Sequence, residues 1–266
     1  MVRGRTRSES VISLASTYPV NKRGEFRLAL RAKSKALYLA RQQNDPLLSA
    51  HCAAGIALAY DYADDPGRAT FWANEALSYL GQAHPGPKDE RPFCVKGIAT
   101  KVLADSALRA GEPAKAVGYF DQALKAANVY TVLRPWVLLG LAHAMLVQNR
   151  FAEVTGYIRQ ARPLHDRRLE AIAERLLGEL ALRQGDTATA RRRFTAAAQR
   201  ARNLGDDDAL AWAERGIAQA DLAQNQLIPA ADAYQNATAA ADSLRGEFHT
   251  EEFRSSVFGS LQTIFD

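Results

Sequence analysis

Between Gly97 and Asn128 small and aromatic residues recur on one face of two successive helical segments. The first, G-I-A-T-K-V-L-A-D-S-A-L-R-A, carries Ala104 and Ala107, small enough to admit a close neighbour, and Gly111 then breaks it. The second, E-P-A-K-A-V-G-Y-F-D-Q-A-L-K-A-A, places Ala116, Phe120 and Ala123 at spacings of four and three, which is one face of a helix. The pattern predicts a helical hairpin with an aromatic knob between two small residues.

The same order returns along the chain. Gly24 to Gln42 reads as a second helix with Ala29 and Ala36 in the small positions and Lys33 in the aromatic one, a departure that weakens this unit. Asp45-Pro46 supplies a cap and a first-turn proline for a helix running to about Tyr62. Its partner spans Gly67 to Leu80 with Ala69, Ala73 and Ala76, and G-Q-A-H-P-G-P-K-D-E-R-P follows as a loop between two similar hairpins. Beyond the index hairpin, one unit holds Met145, a turn at Asn149, and Val154, Ile158 and Ala161. The next holds Gly178, Ala181, a turn at Gly185, and Ala190, Phe194 and Ala197. The last holds Ala218, Asp221, a turn at Asn225, and Ala230, Tyr234 and Ala237. Asp166 and the run Asp206-Asp207-Asp208 provide helix caps.

A hairpin of this composition with a period of about 34 residues resembles the tetratricopeptide repeat. The resemblance implies an all-α fold, a right-handed superhelical solenoid of antiparallel helix-turn-helix hairpins with a C-terminal amphipathic helix. It further implies that the first helices line a concave groove and that residues at fixed offsets along each of them face a ligand. Carried onto this sequence, those offsets give Ile98, Lys101, Asp105, Leu108 and Arg109 in the index unit. They give Trp136, Leu139, His143, Leu146 and Val147 in the next, then Ile172, Arg175, Glu179, Leu182 and Arg183, and finally Trp212, Arg215, Gln219, Leu222 and Ala223. Two tryptophans, an apolar middle and several cations suit a protein or peptide ligand with apolar and acidic residues. Packing explains the same residues differently: a tryptophan can sit under the neighbouring hairpin, and Arg175 and Glu179, four apart, can satisfy each other. The carboxylate clamp of some members needs asparagine and lysine at set offsets, and Asp105, His143, Glu179 and Gln219 do not supply it.

Composition narrows the chemistry. Of 266 residues, 47% are apolar and 24% charged, values of an ordinary globular protein, and the formal charge is +5. Much of that excess lies in Arg3, Arg5, Arg7, Lys22 and Arg23, so residues 1–21 read as a solvated, poorly ordered basic arm. Neither a secretory leader nor a run long enough to span a bilayer is evident, and the expected compartment is the cytoplasm. The two cysteines, Cys52 and Cys94, fall in different hairpins, so no disulfide framework is expected. His51 and Cys52 point about 100° apart on a helix, which favours a buried thiol over a nucleophile. The five histidines show no ligand spacing and no glycine loop cradles phosphate, so no metal, cofactor or catalytic residue is expected. Arg191-Arg192-Arg193 with Arg200 and Arg202 form a basic stripe on a second helix; a solvated outer face accounts for it more readily than nucleic acid.

The end of the chain breaks the period. In S-L-R-G-E-F-H-T-E-E-F-R-S-S-V-F-G-S-L-Q-T-I-F-D the residues Phe253, Val257, Leu261 and Phe265 recur every fourth position and form an apolar face. This tail is similar to the segment that links repeats to a caspase-like domain in CHAT-type proteins. This sequence holds no such domain, so only a recognition or regulatory role is expected to carry over. The expected organisation is an arm at 1–21, a repeat array at 22–244 and a capping or linker helix at 245–266, the last free to contact an effector domain or to self-associate. The expected function is a non-catalytic scaffold or sensor that binds a protein segment. The alternatives are the sensor portion of a bacterial transcriptional regulator or the regulatory part of a CHAT-type protease.

Overall fold

A computed structural model describes residues 25–63, 65–162 and 166–248. The helices are α1 (Glu25–Gln42), α2 (Pro46–Tyr62), α3 (Pro66–Gln82), α4 (Arg91–Arg109), α5 (Pro113–Ala126), α6 (Arg134–Val147), α7 (Phe151–Ala161), α8 (Arg167–Arg183), α9 (Thr187–Leu204), α10 (Asp207–Ala223) and α11 (Leu227–Phe248). One 3-10 turn, Thr131–Leu133, precedes α6, and no strand occurs among the described residues. The protein is all-α, with its helices packed in consecutive pairs as in a helical solenoid.

Sequence chemistry sets where the helices start and stop. Aspartates cap five of them: Asp45 Oδ1 accepts from Leu48 N at 2.9 Å, Asp65 from Arg68 N at 3.0 Å, Asp166 from Arg168 N at 2.7 Å, Asp186 from Thr189 N at 3.0 Å and Asp206 from Ala209 N at 3.1 Å. Prolines in the first turn of α2, α3, α4 and α5 occupy positions whose N–H groups lack helical partners in any case. The expected turn residues Gly111, Asn149, Gly185 and Asn225 all take positive φ, at 75°, 58°, 82° and 58°. That left-handed backbone costs glycine nothing and asparagine little, so the chain reverses there.

The described residues form two compact units that divide between Leu133 and Arg134. In the first, α2 pairs with α3 and α4 with α5, while α2 also packs on α4 and α1 on α2. The loop between α3 and α4 lies inside this unit, and those two helices pack together. In the second, α6 pairs with α7, α8 with α9 and α10 with α11. There α6, α8 and α10 are successive neighbours in one layer, and α9 packs against both α8 and α10.

The small-aromatic-small positions form the cores. Ala116, Phe120 and Ala123 are fully buried, as are Ala69, Ala73 and Ala76. In the second unit Phe194 packs among Ala181, Ala190 and Ala220. A Cβ on Gly178 would lie 2.9 Å from the Phe194 ring, and one on Gly216 would press still closer against it. Two glycines on facing helices therefore make the space the ring fills. In the first unit Gly97 plays that part for Leu133 instead, whose Cδ2 a Cβ would meet at 2.6 Å.

Three positions depart from the sequence pattern. Lys33, expected to weaken its unit, is 4% exposed and lies across Gly55, where a Cβ would meet its Nζ at 2.6 Å. Burial pushes its ammonium below the ordinary lysine range. In α3 the bulky group sits one residue before the expected slot: Trp72 is buried beside Ala73 and meets Phe71 edge-on, with ring centroids 5.3 Å apart. Tyr234, expected in the core between Ala230 and Ala237, is 38% exposed, because no described helix packs on the outer side of α11. The basic arm at 1–21 and the tail residues Phe253, Val257, Leu261 and Phe265 lie outside the described residues.

Candidate protein-binding face

The residues expected to face a groove fall in α4 of the first unit and in α6, α8 and α10 of the second. Their surroundings differ sharply.

On α4 the charged residues are turned toward one another. Lys101 Nζ lies 3.0 Å from Asp61 Oδ2 on α2 and 2.6 Å from Asp105 Oδ2 one turn away, and Arg109 Nη2 pairs with the other oxygen of Asp61. The ammonium of Lys101 also stands 5.9 Å from the Tyr62 ring. Burial alone would raise the Asp61 carboxyl, but Lys101 and Arg109 outweigh it and hold it below the usual carboxylate range. Burial wins at Asp105, whose carboxyl sits above that range. Burial would lower Lys101, yet Asp105 and Asp61 keep it above the ordinary lysine value. Lys101, Asp105 and Arg109 thus cross-link two helices. Sequence reasoning missed Asp61, although its signal is plain: it is the lone carboxylate of the α2 helix P-L-L-S-A-H-C-A-A-G-I-A-L-A-Y-D-Y, and a buried charge needs a partner.

On α6, which packs against both α7 and α8, Leu139 and Leu146 are buried, which removes them from any open groove. His143 and Trp136 are half-buried. The guanidinium carbon of Arg168, on α8, lies 5.9 Å from the Trp136 ring centroid, and Arg168 Nε lies 2.7 Å from the buried carboxylate of Asp206, the cap of α10. Trp136 is therefore part of a packed joint between α6, α8 and the start of α10.

The face of α8 and α10 is open. Trp212 is 48% exposed, and the guanidinium carbons of Arg175 and Arg215 lie 5.8 Å and 5.3 Å from its ring centroid. Arg175 Nη1 also donates to Glu179 at 3.3 Å, the pairing its spacing anticipates. Arg183 is exposed and reaches Asn149 Oδ1 at 3.2 Å. Trp212, Arg215, Gln219 and Leu222 follow one another at spacings of three and four along α10 and all keep solvent access. Ala213, Glu214, Gly216, Ala220 and Asp221 on the other faces of α10 are buried. The α10 stripe runs about 15 Å, the reach of roughly five extended residues of a bound chain.

The basic stripe of α9 keeps the solvent exposure expected of it and is also used within the fold. Arg191 pairs with Asp221 at 2.5 Å and Arg202 with Glu214, both buried carboxylates of α10. Arg193 reaches Glu174 at 2.9 Å and Arg200 reaches Glu170 at 3.4 Å, both on α8. One cationic helix thus ties down its two neighbours and fixes the α8–α10 face.

Reactive groups elsewhere are subdued. Burial pushes the Cys52 thiol up to about 12 and also raises that of Cys94, so neither is a thiolate at neutral pH. Among the described residues no three metal-ligating side chains come together, and no helix is long and apolar enough to cross a membrane.

The sequence matches no protein-family model and no curated protein. Among solved structures it is similar to BtubC (BKLC) from P. vanneervenii, at 18% identity and a TM-score of 0.54, over 83% of this chain and 92% of that one. At that identity the likeness concerns the fold alone.

Proposed function

We propose that the protein is a non-catalytic scaffold of the tetratricopeptide type and that it holds a segment of a partner protein against the α8–α10 face. The observation that carries this reading is Trp212: a large apolar side chain about half exposed, flanked by two guanidiniums and mounted on helices that α9 fixes by ion pairs. Tryptophan and arginine in such a setting are the usual anchors of protein interfaces. A structural purpose alone would bury the ring, as it does Trp72. The elevated cysteine thiols support a binding role over covalent chemistry. The test is capture of partners from a cell lysate by the intact chain and by its Trp212→Ala variant, each first shown to melt at the same temperature. Proteins held by the intact chain and lost from the variant support the reading; identical capture by both contradicts it.

A further inference from the structure

We infer that the α8–α10 face selects a segment in which a carboxylate neighbours a large apolar side chain, the carboxylate pairing with Arg215 while the apolar group covers Trp212. This rests on the reading of that face as the binding face and names what it recognises. Of the five arginines of α9, those at 191, 193, 200 and 202 each have a carboxylate of α8 or α10 and Arg192 donates to Thr189 Oγ1, while Arg175 has Glu179. Arg215 differs. It is exposed, and among the described residues it contacts the Trp212 ring and no carboxylate.

Against an aromatic face a guanidinium keeps its in-plane N–H groups directed outward, a fork that matches the two oxygens of a carboxylate. Two guanidiniums and the single carboxylate of Glu179 leave one net positive charge around the ring, which suits a carboxylate better than a doubly charged phosphate. The adjacent indole provides apolar area, and further along the stripe Gln219 and the 44%-exposed Leu222 extend the contact. Acidic and apolar groups side by side are therefore what the stripe complements.

The experiment is selection of a displayed random-peptide library on the intact chain and on Arg215→Glu, with selected peptides then titrated by tryptophan fluorescence in a Trp136→Phe background. Since Arg215 is exposed, charge reversal leaves the fold in place, which circular dichroism verifies. Peptides with Asp or Glu beside Phe, Tyr, Trp or Leu are expected on the intact chain. Arg215→Glu is expected to weaken them by about tenfold or more and to select Lys or Arg at the acidic position instead. Selected peptides without acidic residues, or acidic ones that bind both proteins equally, overturn this inference and leave the binding face standing. No selection on the intact chain overturns the inference together with the face itself.

Discussion

At the residue scale, glycines of like appearance have opposite roles, and the difference is measurable. Gly216 faces the Phe194 ring, so Gly216→Ala gains about 1 kcal/mol of helix propensity but forces an overpacked core costing about 1–3 kcal/mol. The expected result is a net loss of stability that Phe194→Leu partly reverses in the double variant. At Gly118 an added Cβ would meet nothing within 4 Å, so Gly118→Ala is expected to raise stability by about 0.5–1 kcal/mol. Denaturant unfolding of these variants measures both signs.

The ion cluster on α2 and α4 gives a second test at this scale. Asp61→Asn leaves Lys101 and Arg109 short of a buried carboxylate and should cost about 3–5 kcal/mol. The folded pKa of Asp61 lies below its unfolded value near 4, so its contribution is present above about pH 4 and is lost as pH falls through the folded pKa. Asp105 has the opposite sign: its contribution is full below about pH 4 and declines as pH rises through its elevated folded pKa. Stability measured against pH should therefore fall less steeply below about pH 4 in Asp61→Asn than in the parent. Equal acid slopes would contradict the assigned pairing.

At the element scale α9 acts as a strut between α8 and α10. Glu214 is 2% exposed and relies on Arg202, whose own side chain is about half in solvent. Arg202→Ala should destabilise by about 1–3 kcal/mol, and Arg202→Ala with Glu214→Gln by less, since the buried charge is then absent. Thermal melts of the single and double variants decide it.

This is also the scale at which the sequence was most legible. Caps at Asp45, Asp166 and Asp206 and reversals at Gly111, Asn149, Gly185 and Asn225 depend on local backbone chemistry, and they sit where the residues placed them. Second-helix cores were legible for the same reason, because spacing alone puts Ala190, Phe194 and Ala197 on one face. Contacts between distant residues were not. Lys101 meets Asp61 forty residues away, and the α9 arginines meet carboxylates on two other helices. For the candidate face, offsets along a helix were readable but exposure was not: Leu139 and Arg215 occupy equivalent offsets, yet one is packed and the other open. Which neighbour covers an offset depends on the next hairpin.

At the scale of the whole molecule, two compact units carry different side-chain clusters: a closed ion cluster in the first and an open aromatic and cationic stripe in the second. Helical arrays hold together through nearest neighbours, so damage in one part stays local until global unfolding. Phe194→Ala empties the space between α8, α9 and α10 and should cost about 3–5 kcal/mol there. Hydrogen exchange should accelerate across residues 167–223 and keep its parent rate across 46–109. Uniform acceleration over both would show a single cooperative body.

On the proposed function, the α8–α10 face receives a partner segment through Trp212. The most direct test is calorimetric titration of a segment captured or selected by the intact chain, compared with Trp212→Ala of equal melting temperature. A loss of about tenfold or more in affinity, about 1.4 kcal/mol or above, is the predicted result. Unchanged affinity in the variant would show that Trp212 does not anchor the segment.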